Sequence, residues 1–321
     1  MITGPDDVTA AVLAEVERAK DPRTRELLAA AVGHLHAFVR ETHLTEAEFQ
    51  HIAQIVARLG QLTNDAHNEV VLIAGSLGVS SLVCLQNNGA GGARETTANL
   101  LGPFWRAGSP LEEDGASIVR SPTPGDPIFV TGFVVDLDDR PVAGAEVDVW
   151  NTSAEGLYEN QDPRQADMNL RGRFVTDSSG RFSFRTVKPA GYPIPVKGPV
   201  GDLLRAQGRH NMRPAHIHFL ISKPGYKTQF SQVYSGDDPN LETDAQFGVT
   251  AALVGCYVRH DAATDPAPDP GVTGAWYSLE HRFVIEPGDD SLPKPPITGK
   301  ATGSIAVPEI LERTPRHAAA G

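Results

Sequence analysis

The chain has 321 residues, with 28 Lys and Arg against 40 Asp and Glu, a formal charge of −12 at pH 7. That balance excludes a general nucleic-acid binder and an anionic-membrane binder, both of which need a basic surface. An apolar share of 40% suffices for a buried core, no apolar run is long enough to span a bilayer, and two cysteines, Cys84 and Cys256, build no disulfide framework. The opening residues lack the basic head and apolar core of an export signal, so a cytoplasmic location is expected.

Residues 6–90 read as helices. Val8, Val12 and Val16, with Leu13, make the first apolar stripe. A second helix opens at Asp21-Pro22, a cap followed by proline, and carries Leu28, Val32, Leu35 and Val39 on one face. The third opens with the capping box Thr45-Glu46-Ala47-Glu48, carries Phe49, Ile52, Val56 and Leu59, and is expected to stop at Gly60. A fourth, roughly 64–85, is more uniformly apolar and reads as one buried helix, set against a partner subunit or the rest of the chain. Asn87 to Gly92 is a loop.

From about residue 128 the period becomes two. Phe129, Thr131, Phe133 and Val135 share one face, and Ala145, Val147 and Val149 alternate with Glu146, Asp148 and Trp150. Phe174 to Thr176, a turn at Asp177-Ser178-Ser179-Gly180, and Arg181 to Arg185 read as a hairpin. Ala215–Ser222 and Trp276–Ile285 are further strands. The fold class is mainly β, an antiparallel β-sandwich with an α-helical N-terminal region. The expected boundaries are 1–100 for the helices, 101–290 for the sandwich and 291–321 for a Pro-, Gly- and Ala-rich tail that hangs free or wraps.

The most informative segment is Arg213-Pro214-Ala215-His216-Ile217-His218-Phe219. Residues two apart in a strand share a face, so His216 and His218 aim at one point while Ile217 faces the opposite layer. That suits a metal with nitrogen ligands; an ordinary pair of hydrogen-bonding histidines fits as well. No acidic residue stands two from either histidine. Two of only 6 tyrosines, Tyr158 and Tyr192, fall in loops that a sandwich would gather at one end. A phenol titrates near 10 and is a poor ligand for a weak Lewis acid, but a hard trivalent cation holds the phenolate. Taken singly, either tyrosine could be a buried ring with a tethered hydroxyl.

Several separated stretches together resemble the intradiol ring-cleaving catechol dioxygenases, over roughly residues 5–290: Leu101-Gly102-Pro103-Phe104, Val147 to Asn151, Gly156-Leu157-Tyr158, Gly172 to Phe184, Tyr192-Pro193-Ile194-Pro195, Gly198 to Gly201, and Arg213 to His218. The resemblance implies one non-haem Fe(III) per subunit, held by Tyr158, Tyr192, His216 and His218. Tyr192 matches the axial tyrosine that leaves the metal when the diol binds and takes a substrate proton. Arg213 would lie over the substrate ring and stabilise developing negative charge. Gln232, fourteen residues after His218, would line the same pocket. The substrates implied are an aromatic 1,2-diol and O2, and the product a muconate. A homodimer through the helices, with a lipid-like molecule between them, is implied as well.

Pocket positions carried over are Leu101, Gly102, Pro103, Phe104, Pro193, Ile194 and Pro195. The loops are more similar to those of hydroxyquinol-cleaving members than of plain catechol members. Two positions depart from them: Ser76 stands where an Asp often serves the third hydroxyl, and Gln246 where a small aliphatic residue is expected. Hydroxyquinol is therefore the first expectation, and catechol or a substituted catechol the alternative. Readings from other classes are a non-enzymatic β-sandwich binding module and a zinc or copper hydrolase built on the His pair.

Overall fold

The computed structural model describes residues 1–87, 95–300 and 309–315; most of the loop expected at 87–92 and parts of the tail lie outside them. The chain divides into Met1–Arg58 and Leu59–Gly321, a division well before residue 100. The first unit holds α1 (Pro5–Val16), α2 (Pro22–Glu41) and most of α3 (Glu46–Leu62). Its caps are those the sequence signals. The Asp21 carboxylate accepts from Thr24 N–H at 2.6 Å, and the Thr45 N–H donates to Glu48 Oε2 at 2.8 Å. Gly60 does not stop α3, which continues to Leu62. A helical glycine costs only about 1 kcal/mol, and no left-handed cap forms there.

In the second unit the expected helix 64–85 is two: α4 (Glu69–Ser76) and α5 (Val79–Asn87), bent by 77°. Gly78, at φ +75°, makes the corner. No single helix among the described residues is long and apolar enough to cross a membrane. Nor is this pair uniformly buried: Leu72 is inaccessible, whereas Leu77, Val79 and Leu82 are more than half exposed.

The remaining elements are β1 (Pro127–Val135), β2 (Glu146–Asn151), β3 (Arg171–Val175), β4 (Arg181–Val187), β5 (Tyr192–Pro193), α6 (Pro199–Ala206), β6 (Met212–Arg213), β7 (His216–Ser222), β8 (Gln229–Ser235), β9 (Val254–Gly255), β10 (Val258–Asp261) and β11 (Ala275–Val284). Nine of the strands form a four-stranded sheet, β10-β11-β1-β4, facing a five-stranded one, β3-β2-β7-β8-β9, and β5 and β6 pair as a separate two-stranded ribbon. Ile128, Val130 and Val134 of β1, Phe182 and Phe184 of β4, and Leu279 and Phe283 of β11 meet Val147, Val149, Phe174, Ile217, Phe219 and Ile221 between the sheets.

Two details differ from an all-antiparallel reading with a local hairpin. The pairs β1–β11 and β8–β9 are parallel. β3 and β4 do not pair: they lie in different sheets, and the Asp177–Gly180 turn is the corner between them. The period-two pattern is the same in either case, because both strands bury one face in one core: Phe174 stacks on Phe184. The described tail packs on the second unit. Asn211 Nδ2 donates to Glu309 O, Leu311 N–H donates to Asn211 Oδ1, and Arg205 pairs with Glu309 at 2.7 Å.

Candidate active site

The outer face of the five-stranded sheet carries the site. Alternation along β7 sends Ile217, Phe219 and Ile221 into the sandwich core and His216, His218 and Leu220 to the other side. Antiparallel pairing sets Tyr234 of β8 opposite His216, and Gln232 opposite His218. On the other flank Trp150 of β2 pairs with His218 and stacks on its ring, with centroids 4.5 Å apart and planes within 10°. A second apolar cluster, including Leu72, Phe104, Ile194, Val200 and Leu204, closes over this face.

Tyr158 stands in the loop after β2, where its N–H donates to Gln161 Oε1 and Gln161 N–H donates back to Tyr158 O. Tyr192 stands on β5, in register with Arg213 of β6. Gly156 has φ +74°, and a side chain there would bring a carbon within 2.9 Å of Tyr192 Cβ, so glycine lets the two loops close. The result is a convergence of four donor atoms. The Tyr158 hydroxyl lies 3.3 Å from that of Tyr192, 3.4 Å from His216 Nε2 and 3.0 Å from His218 Nε2; the two Nε2 atoms are 3.1 Å apart.

These separations suit a metal ion. Donors about 2 Å from a common ion stand roughly 3 Å apart. The His216 tautomer agrees. Its Nδ1 lies 2.7 Å from Pro214 O, which can only accept, so the proton is on Nδ1 and the Nε2 lone pair faces the cluster. Burial and the nearby Arg213 charge push His216 down to about 3, and burial and His216 push His218 well below its ordinary value, so both rings are neutral. Burial, then Tyr192, push the Tyr158 phenol well above 10; only a strong cation would make such a group a phenolate. Among the described residues no three His, Cys, Asp or Glu side chains form a metal-binding group, so any cage here needs the tyrosine oxygens.

Arg213 is buried beside this cluster. Its Nη1 lies 3.5 Å from the Tyr192 hydroxyl, and its Nε and Nη2 grip Asp244 at 3.0 and 3.1 Å. Its Nη2 also donates to Gln232 Oε1 and to the Tyr234 hydroxyl, each at 2.9 Å. Burial opposes both charges. The pairing nonetheless holds the Arg213 guanidinium firmly protonated and the Asp244 carboxyl below its usual range.

A cavity of about 770 Å³ opens beside Arg213, lined by Val71, Gly75 and Val79 and by Leu101, Gly102, Pro103 and Gln246. Of the expected pocket residues, these last four and Arg213 line it. The others do not. Phe104 packs behind Tyr158, with ring centroids 4.7 Å apart. Ile194 is sealed in the apolar cluster, and neither Pro193 nor Pro195 borders the cavity. Ser76 is buried behind Gln246, whose Nε2 donates to its hydroxyl at 2.7 Å. Gln232 is also withdrawn: Oε1 accepts from Arg213 and Tyr234, and Nε2 donates to Leu100 O at 2.6 Å, so it orients Arg213. Asp244, Tyr234 and Trp150 were not anticipated as site residues. Tyr234 was within reach, since it shares a strand face with Gln232 two residues away. Asp244 lies in a loop and has no local signal.

Comparison with known proteins agrees with this geometry. Residues 100–282 match the family described as Dioxygenase, and residues 21–94 the one described as Catechol dioxygenase N terminus. The chain is 40% identical to a hydroxyquinol 1,2-dioxygenase from Rhizobium sp. (strain MTP-10005), over 85% of this chain and 92% of that one. It is 38% identical to a catechol 1,2-dioxygenase from Candida albicans, over 73% of this chain and 78% of that one. The crystal structure of hydroxyquinol 1,2-dioxygenase from Pseudomonas putida DLL-E4 superposes with a TM-score of 0.78 at 36% identity, covering 88% of this chain and 99% of that one. The chain belongs to the intradiol ring-cleaving dioxygenases.

Proposed function

We propose that this enzyme cleaves hydroxyquinol (benzene-1,2,4-triol) between its vicinal hydroxyl-bearing carbons. Both atoms of O2 enter the product, 3-hydroxy-cis,cis-muconate, the enol form of maleylacetate. The observation that carries the reading is the convergence of Tyr192, His216 and His218 on the Tyr158 hydroxyl at 3.0–3.4 Å, beside the Arg213 cavity. Relatives named hydroxyquinol 1,2-dioxygenase at 36–40% identity over most of the chain support the substrate.

In this reading the four residues hold Fe(III). Bound there, the ion supplies Lewis acidity to the diol and so makes the ring reactive towards O2. Two phenolates and two neutral imidazoles leave a ferric site with net charge +1, which favours an anionic diol. In this reading the Tyr192 oxygen would take a diol proton, and the Arg213 guanidinium 3.5 Å away supports the reading by favouring the diol oxygen that is left with negative charge. Arg213 supplies the same fixed positive charge to the ring as it becomes electron-rich, and Asp244 and Gln232 keep it from swinging away.

The assembly proposed is a homodimer through the helical unit, holding a lipid. Exposed Leu27, Leu35, Phe38, Phe49 and Val56 support it, as does a cavity of about 390 Å³ edged by Val8, Val39, Leu44 and Phe49.

The test is a visible spectrum of purified protein, then anaerobic addition of hydroxyquinol and of catechol. A tyrosinate-to-iron band that moves to longer wavelength with a diol, and bleaches when O2 is admitted, is the expected result. An iron-loaded but colourless protein would overturn the ligand set.

A further inference from the structure

Gln246 is a buried amide with one half committed. Its Nε2 donates to Ser76 Oγ at 2.7 Å and to Leu72 O at 3.3 Å, and its own backbone N–H donates to Asp244 Oδ1. The Leu72 carbonyl can only accept, so the nitrogen faces α4 and the orientation of the amide is settled. Its Oε1 lies over Gly75, where an added Cβ would stand 1.9 Å away. That oxygen accepts no hydrogen bond from any described residue, although the residue is only 4% exposed and borders the Arg213 cavity. That oxygen is not among the sealed unpaired polar atoms, so it reaches the cavity, where water satisfies it until a ligand displaces that water and must supply a donor in its place. The carboxylate that grips Arg213 also anchors the Gln246 backbone, so the two are held as one wall.

We propose that Gln246 Oε1 accepts a hydrogen bond from the third ring hydroxyl of the substrate and is the residue that makes this enzyme prefer a 1,2,4-triol. The inference rests on the diol-cleaving reading above. It reassigns the recognition of that hydroxyl from Ser76 to Gln246, with Ser76 Oγ and Leu72 O holding the amide in orientation. A ring with hydrogen, methyl or chlorine at that position leaves Oε1 dry and unpaired. A site built to pair a substrate hydroxyl discriminates strongly against the analogue lacking it.

The experiment compares kcat/KM for hydroxyquinol, catechol and 4-methylcatechol, with anaerobic Kd values from the diol-induced spectral shift, for the iron-loaded wild type, Gln246→Leu and Gly75→Ala. Wild type should favour hydroxyquinol. In Gln246→Leu the hydroxyquinol-to-catechol ratio should fall about 10–100-fold, in Kd as well as in kcat/KM. Gly75→Ala leaves the glutamine in the chain but drives its oxygen from the wall, and should lower the ratio in the same direction; it decides the matter if the leucine variant does not fold. A ratio unchanged within threefold in a folded variant overturns the proposal, as does a wild type that prefers catechol. In both cases the diols are still cleaved and the diol-cleaving reading stands, whereas a wild type that neither binds nor cleaves any diol overturns both.

Discussion

Replacing Asp244 with asparagine keeps the shape of the side chain and removes its charge. In the native protein the carboxylate receives four donors: Arg213 Nε, Arg213 Nη2, and the N–H groups of Gln246 and Gly248. Both partners of the ion pair are about 2% exposed, so water cannot replace the lost charge. An asparagine amide would turn a donor towards at least one of these donors and leave a buried guanidinium without its counter-ion. Breaking a buried pair from one side costs about 3–5 kcal/mol. At roughly 2–4 °C per kcal/mol for a domain of this size, the melting temperature should drop by about 6–20 °C. Urea unfolding of the iron-loaded protein measures the stability, and kcat/KM should fall with it because Arg213 is freed to move.

The pair also has a pH signature. The folded-state pKa of Asp244 is depressed below its ordinary 3.8, so its stabilisation is complete above that value and is lost as pH falls below it, through the lower folded-state pKa. In Asp244→Asn that part of the acid slope should vanish. The double variant Arg213→Met with Asp244→Leu removes both charges; it should recover much of the stability while activity stays low. An Asp244→Asn protein within 1 kcal/mol of wild type, with kcat/KM within about twofold, would refute the reasoning.

Three further outcomes are expected. Asp148 is buried against Trp105 Nε1 at 3.0 Å, and burial raises its carboxyl to about 6. Its raised folded pKa means its contribution is most favourable below pH 3.8 and is lost as pH rises through about 6, a difference of about 3 kcal/mol. Asp148→Asn should therefore be more stable at pH 7 by up to that amount, and a flat comparison of urea midpoints between pH 4 and 7 would contradict the argument. Tyr158→Phe should weaken and shift the visible band, leaving the part that Tyr192 contributes, and lower kcat/KM by more than the about 10–100-fold typical of residues behind a metal ligand; an unchanged spectrum would remove Tyr158 from the ligand set. Gly156→Ala combines a left-handed backbone with a 2.9 Å approach to Tyr192, and should lower the melting temperature and the iron content measured by elemental analysis together.

Local physics was legible without coordinates wherever one residue and its near neighbours decide the outcome. Asp21 and the Thr45–Glu48 box cap their helices through contacts three residues apart. The alternation that separates His216 and His218 from Ile217 follows from the strand period alone. Tyr158, Tyr192 and Arg213 were readable as site residues only through stretches that resemble a known family, since nothing in their own neighbourhoods distinguishes a ligand from a buried ring or an ion pair. What the tertiary structure decided involves partners far apart in the chain. Phe174 and Phe182 bury the same kind of face whether β3 and β4 pair or part, so only packing could put them in opposite sheets. The corner at Gly78 depends on one left-handed residue inside an apolar run that reads equally well as a continuous helix. Asp244 meets Arg213 across 31 residues of sequence, and Gln246 meets Ser76 across 170. A buried charge or amide is satisfied by whichever group the fold brings within 3 Å, and a one-dimensional pattern carries no measure of that distance.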